Sequence, residues 1–402
     1  MFFGWMGDRI PGRRTPFILG VAVLGASTLC FALGRTLPVL LIARILEGLS
    51  TAIVCTLGYA LLNDVIGTEQ IGKAMGYTSV ALSLGLFIGP VVGGVLYEYG
   101  GYFQVFLPAF GLIVVEMILR IMIIEPEQRN RGTRPRRKAA GSMEATPDLG
   151  TDESLQTGTE TEEQPLLPLV APKNTRHAFS TLLRSPRFLV AVTSLFVLNN
   201  IGCGFDGVLA PYISDAFGLT AMYAAALFLA IALPMFLAPI SGAFTDRFGA
   251  KWPAAGGFLI AIPSLILLRL VSRGTNLPFI KLAVLFFLVG VAFALAMPPL
   301  RVEVSKVVES IERDSPGIFG PYGAYSQAYG LMNTAIAAGG LTGPLYAGFA
   351  RVWLGWGAMS LSMGMLSAIM LVFVVLLTGG KSPSSVTTAV EVSGDKDDED
   401  RN

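Results

Sequence analysis

The sequence predicts an all-α integral membrane protein, a bundle of about ten spans arranged as two related halves. Three observations lead there. The chain of 402 residues is 53% hydrophobic and only 14% charged, with a mean hydropathy of +0.62, a balance that a water-soluble fold cannot cover with polar surface. Apolar runs long enough to cross a hydrocarbon core, which takes about 20 helical residues, occur at 16–34, 37–63, 74–97, 103–124, 188–213, 222–244, 252–271, 278–300, 321–350 and 354–378. The loops between them repeat the same punctuation in the two halves. Lipid leaves backbone groups unsatisfied unless they pair within the segment, and these runs exceed the short alternating strands of an outer-membrane barrel, so they are read as helices.

Taken in order, residues 1–124 form a first half with four spans, 125–187 a hydrophilic linker, 188–378 a second half with six spans, and 379–402 an acidic tail. The linker opens with the basic run Arg129 to Lys138 and continues acidic and rich in Ser, Thr and Pro, the composition of a disordered segment. Net charge is +1, which argues against a nucleic-acid partner, but the positive charge is unevenly placed. If the loop at 4–15 is cytoplasmic, alternation puts 64–73, 125–187, 245–251, 301–320 and the tail on that side, with most of the 29 lysines and arginines. The opposite loops hold little beyond Arg35, Arg273 and Arg351, so both ends are expected in the cytoplasm. Phe2 and Phe3 run directly into the charged loop Asp8-Arg9, so no cleavable signal peptide is read at Met1. Cys30, Cys55 and Cys203 fall within apolar runs as small packing residues, implying no disulfide framework. The single His177 lies in the linker, which excludes an intramembrane histidine relay.

The repeat is specific. The loop Gly4-Trp5-Met6-Gly7-Asp8-Arg9-Ile10-Pro11-Gly12-Arg13-Arg14 precedes a span, and two spans later comes Gly85-Leu86-Phe87-Ile88-Gly89-Pro90-Val91-Val92-Gly93-Gly94. In the second half Gly242-Ala243-Phe244-Thr245-Asp246-Arg247-Phe248-Gly249-Ala250-Lys251 precedes a span, and two spans later comes Gly339-Gly340-Leu341-Thr342-Gly343-Pro344. A duplicated fold is the simplest cause. Two spans stand before the Asp-Arg loop in the second half and only Met1 to Phe3 in the first, so two helices of the pattern are expected to be missing from the front.

These residues resemble the major facilitator superfamily, and more narrowly its twelve-span drug:proton antiporters, including the vesicular amine transporters and their fungal relatives. The Gly4 to Arg14 loop is similar to the family's signature between its second and third helices. Leu40-x-x-x-Arg44-x-x-Glu47-Gly48 resembles the fourth-helix signature, with Glu47 where Gln is usual and Ser50-Thr51 in place of small apolar residues. Gly85 to Gly94 resembles the fifth-helix signature of antiporters. The resemblance implies that Asp8, with Arg9, Gly12, Arg13 and Arg14, latches onto the facing helix of the second half at the cytoplasmic side, and that Asp246, Arg247 and Lys251 form a weaker copy. It also implies that Gly85, Gly89, Pro90, Gly93 and Gly94 form a hinge. Read from the residues alone, Asp8 and the arginines anchor topology, and the glycines at every fourth position give one face for close helix packing.

Ionisable groups inside apolar runs are the most informative, because a charge near the bilayer centre costs about 2.5 to 3.5 kcal/mol on insertion scales. Asp206, in the outer part of its span, is the first candidate for a protonatable or cation-binding carboxylate. Arg44 would bind an anionic group or tune a carboxylate, or else pair with Glu47. Glu303 follows Pro298-Pro299, which are expected to break the helix near its cytoplasmic end, and is either a coupling acid or a loop residue. Glu116 and Arg120, spaced i, i+4, are read as a structural pair. Tyr322, Tyr325, Tyr329 and Asn333 make a polar-aromatic stripe that faces either a cavity or another helix. Asn199 and Asn200 either line a cavity or bond neighbouring helices. Glu162-Glu163-Gln164-Pro165-Leu166-Leu167 resembles an acidic dileucine sorting signal, which leaves plasma, vacuolar and vesicular membranes open.

The expected activity is proton-coupled export of small organic compounds, with lipid, protons and an organic substrate as partners and no cofactor. No phosphate-binding loop, metal-ligand cluster or enzyme constellation stands in the sequence. Facilitated diffusion without protons is the runner-up, and a truncated, transport-inactive membrane protein is a third reading. The resemblance implies a monomer.

Overall fold

The computed structural model describes residues 4, 8, 14–67, 70–122, 178–218, 221–271, 278–319 and 323–379. Arg9, Gly12, Arg13, Tyr322, His177, residues 125–177 of the linker and the tail from 380 lie outside the described residues. In chain order the helices are α1 (Arg14–Leu33), α2 (Leu37–Ile66), α3 (Ile71–Gly100) and α4 (Tyr102–Met122, opening with a 3₁₀ turn). After the linker come α5 (Ala178–Arg184), α6 (Pro186–Phe217), α7 (Ala221–Ala232) and, after a 3₁₀ turn, α8 (Ala238–Phe248). The last three are α9 (Lys251–Leu267), α10 (Pro278–Asp314) and α11 (Tyr325–Leu377).

Apart from a few end residues, the described residues of the ten apolar runs lie on helix, and by length and apolarity eight helical runs among the described residues qualify as candidate spans. The eighth, α11, has 53 residues and is two helices, because Gly355 interrupts it at φ 82°, a backbone conformation that a side chain disfavours. Trp356, the next residue, donates its indole N–H to the Leu268 carbonyl at 3.1 Å and stacks 3.7 Å from Tyr212, fixing the second arm of α11 against α9 and α6.

Two sequence expectations are corrected. Residues 178–184, read as part of the linker, form α5 with Leu182 fully buried. From there α6 begins at once, with Ser185 as its N-cap and Pro186 in its first turn, where a missing amide donor costs nothing. Pro298 and Pro299 do not break their helix either: α10 runs through them to Asp314. Pro299 deprives the Leu295 carbonyl of its i+4 donor, and the Ser241 hydroxyl of α8 donates to that carbonyl instead, at 2.8 Å. A membrane helix keeps going past proline when a neighbour supplies the lost hydrogen bond.

The second half holds most of the buried core, centred on Phe188, Phe205, Phe258, Phe286 and Tyr329. The first half has a small cluster of its own, Phe17, Val21, Ile53 and Leu57. α4 buries none of its residues and shows Leu112 and Met122 at its surface, a composition suited to hydrocarbon rather than water. Across the halves, α3 packs on α8 and α10, and α2 packs on α11.

Replacing Ser241 by alanine leaves the Leu295 carbonyl without a donor. The expected cost is about 1 kcal/mol, seen as a lower thermal midpoint in detergent, whereas Ser241→Thr, which keeps the hydroxyl, is expected to retain it.

Candidate functional site

Two matching contacts tie the halves together at one end of the bundle. The Asp8 carboxylate, buried, accepts hydrogen bonds from the Ser326 and Gln327 amides at 3.0 and 2.9 Å, at the start of α11. The Asp246 carboxylate accepts from the Gly72 and Lys73 amides at 2.7 and 2.9 Å, at the start of α3. The first turn of a helix leaves N–H groups unpaired and carries the positive end of the dipole, so an acid is held there by both effects. Each acid reaches from its own half to a helix of the other half.

Glycines permit this approach. A Cβ built on Gly4 would lie 2.4 Å from the Ser326 carbonyl oxygen, and one on Gly72 would lie 2.4 Å from that of Gly242. One turn further along α3, a Cβ on Gly76 would meet the Pro239 Cα at 2.4 Å. At Ser79 the hydroxyl takes a 2.8 Å hydrogen bond from the Arg301 guanidinium of α10. Gly72, Gly76 and Ser79 follow the i, i+4, i+7 spacing of one helix face, so α3 is bound to the second half over its first two turns.

Further along α3 the fit loosens: contacts with the second half continue to the 3₁₀ turn at 233–237 and to α7, but among the described residues a Cβ on Gly85, Gly89 or Gly94 would meet nothing within 4 Å, and one on Gly93 only the Val105 side chain at 3.7 Å. The corresponding glycines of the second half are tightly packed: a Cβ on Gly339 would lie 2.4 Å from the Phe196 carbonyl oxygen, and one on Gly343 2.3 Å from that of Asn200, both in α6. Pro90 lies in α3 between these positions.

The polar-aromatic stripe of α11 faces helices. Tyr329 is completely buried, 5.7 Å from the ring of Tyr59 in α2, and Asn333 donates to the Thr56 hydroxyl at 3.2 Å. Tyr325 begins the helix that Asp8 caps. Asn199 donates to the Ile336 carbonyl and Asn200 to the Thr342 hydroxyl, each at 2.8 Å, so both amides join α6 to α11.

The three charged candidates are not brought together. Glu303 is buried in α10, where Arg187 grips it through two nitrogens at 3.0 and 2.7 Å and the Gly379 amide lies 3.4 Å away. Arg44 pairs with Glu47 at 2.9 Å on the exposed side of α2, its guanidinium 4.4 Å from the ring of Phe31. Asp206 is exposed on α6 and makes no hydrogen bond or ion pair with any described residue. Glu116 and Arg120 pair at 3.4 Å. Arg247 lies over Phe248 and Lys251 over Trp252, both beside the Asp246 contact; Arg14 opens α1.

The sequence reading passed over Gly72, Gly76, Ser79, Thr56 and Arg301. The four-residue spacing of Gly72 and Gly76 signals a close-packed face, and a charged residue straight after Pro298-Pro299 is a signal for Arg301.

The sequence matches the family profile of the Major Facilitator Superfamily over residues 1–316. It is 28% identical over 349 residues to an uncharacterised MFS-type transporter of Schizosaccharomyces pombe, covering 87% of this chain and 76% of that protein. It is also 28% identical over 410 residues to the MFS-type transporter ppzB of Metarhizium rileyi, covering 94% of this chain and 82% of that one. A shorter stretch of 128 residues is 33% identical to the synaptic vesicular amine transporter of Bos taurus, 32% of this chain and 25% of that protein. The fold is similar to a crystal structure of the human organic anion transporter MFSD10, with a TM-score of 0.63 and 20% identity, covering 92% of this chain and 79% of that one.

Substituting Gly242→Ala forces α8 off α3 at the closed end. With Cys30, Cys55 and Cys203 replaced by alanine and Met75→Cys as a buried reporter on α3, the expected result is alkylation by a polar thiol reagent at least several-fold faster than in the Gly242 parent.

Proposed function

The chain belongs to the Major Facilitator Superfamily and is a multi-pass membrane transporter of small molecules, and from that premise we propose that it exports small amphipathic organic compounds by exchange for protons. The observation that carries this reading is the uneven fit of the two halves. They are bound tightly at the Asp8 and Asp246 contacts, while at greater depth on α3 a Cβ on Gly85 or Gly89 would meet none of the described residues within 4 Å. A bundle built from two related halves, closed at one end, alternates by releasing those contacts and rocking the halves about the centre. Asp8 and Asp246 are the latches in this scheme, and the glycines around Pro90 are the flexing segment of α3.

Asp206 is assigned to coupling because, among the charged candidates, it alone has no partner to release. A carboxylate in a span can take a proton or hold a cationic cargo, but not both at once, and that competition is the basis of antiport. Arg44, paired with Glu47, adjusts the charge of the same outer region. Glu303 is assigned to structure, held by Arg187. The likeness of one stretch to vesicular amine transporters favours a cationic amine among the cargoes. The distribution of Lys and Arg favours a cytoplasmic position for the Asp8 and Asp246 loops and both chain ends. The destination is a plasma, vacuolar or vesicular membrane, and the transporting unit is a monomer.

The test is flux of a fluorescent amphipathic amine in proteoliposomes with and without an imposed pH gradient. Accumulation is expected to follow the gradient, and Asp206→Asn is expected to abolish the gradient response while leaving exchange of labelled for unlabelled amine measurable. Flux through the parent chain that is indifferent to the gradient would instead establish a facilitator.

A further inference from the structure

Arg301 is a charge in the wrong place for a simple structural role. It is 6% exposed, it lies on α10 between the two halves, and among the described residues no carboxylate stands within ion-pair distance of it. Its partners are the Ser79 hydroxyl at 2.8 Å and, more weakly, the ring of Tyr59 at 5.8 Å, both in the first half. The guanidinium Nε–H is buried without an acceptor. Glu303, two residues away in sequence, is taken up by Arg187. Around it lie Tyr59 and, against Tyr59, Tyr329; the acids of this region, Asp64 beside Tyr329 and Glu116 near Cys55, stand beyond ion-pair distance of the guanidinium.

A guanidinium cannot escape by losing its proton. Closing the gate therefore strips water from a full positive charge and gives back one hydrogen bond from a charged donor and a ring contact. One hydrogen bond and a ring contact 5.8 Å away stand in for the hydration of the whole group, and the Nε–H finds no acceptor at all, so burial of this charge opposes closure. The capped helix starts at Asp8 and Asp246 hold the gate shut against it.

Resting on the reading of the molecule as an alternating transporter, we propose that Arg301 is a positioning residue that makes closure of this gate costly, and so sets how readily the closed end reopens in each cycle. The opposite sign follows if Arg301 is merely a bolt: its removal would then loosen the gate. The two readings differ in the direction of a single measurement.

That measurement uses the full chain in proteoliposomes with the three native cysteines replaced and Met75→Cys as reporter. The alkylation rate by a polar thiol reagent gives the fraction of time the gate is open, and no substrate is needed. Arg301→Met is expected to slow alkylation about tenfold, the low end of what replacing buried charges by apolar groups achieves. Arg301→Lys, which keeps the charge, is expected to leave the rate within about twofold of the parent. Ser79→Asp, which places a carboxylate at the atom the guanidinium already touches, is expected to slow alkylation as well. The double variant Arg301→Met with Ser79→Asp buries an unpaired acid, and its rate is expected to rise above that of either single change. Faster or unchanged alkylation in Arg301→Met overturns the proposal, as does a double variant slower than both singles. Should Arg301→Met fail to fold, Arg301→Gln, which removes the charge and keeps a donor for Ser79, decides in its place: a rate that rises or does not change overturns the proposal. Asp8→Ala serves as control: if it leaves the rate unaltered, the alternating reading itself fails; if it speeds alkylation while Arg301→Met does not slow it, only the role of Arg301 falls.

Discussion

Hydrocarbon offers a polar group nothing to bond with, and the internal contacts of this molecule are arranged around that constraint. Most of the buried polar features described above are ways of meeting it, and the Arg301 Nε–H is an exception. Ser241 replaces the donor that Pro299 cannot supply, Asn199 and Asn200 spend their amides on α11, and Glu303 is closed off by Arg187. The Asp8 and Asp246 carboxylates satisfy the open amides at the starts of α11 and α3. In these last two cases the donor and acceptor belong to different halves, so the same constraint that builds each half also joins them.

The internal repeat sharpens that picture. Gly339 and Gly343 show what a glycine face of this kind does when a helix lies against it: the backbones approach until any side chain is excluded. Gly85 and Gly89 carry the same spacing in α3 but touch nothing in the described residues. Two copies of one pattern, one tightly engaged and one not, mean that the motif specifies a capacity for close approach rather than a fixed contact.

Much of this was legible in the sequence because membrane helices announce themselves by length and composition. The ten apolar runs, the repeat of the Asp-Arg loops and the pairing of Glu116 with Arg120 needed no coordinates. What failed were inferences from single residues about what a neighbour would supply. Pro298-Pro299 reads as a helix terminus until Ser241, more than fifty positions earlier, is placed beside Leu295. Residues 178–184 read as linker because seven residues are too few to show a period, although Leu182 packs. Asn199 and Asn200 fitted a cavity as well as a helix contact, since an amide has the same appearance in both. Arg301 was hidden by its neighbour: an acid at a helix edge draws attention, and the base two residues before it turns out to be buried as well.

The grip on Glu303 has a practical side. Arg187, at the start of α6, and the Gly379 amide, just past α11, meet at the same carboxylate oxygen of α10. The two places where the chain leaves the second half are thus pinned to one rigid body. A fluorescent domain fused after residue 379 would ride with that body, and its orientation would report the tilt of one rocker arm without loading the other.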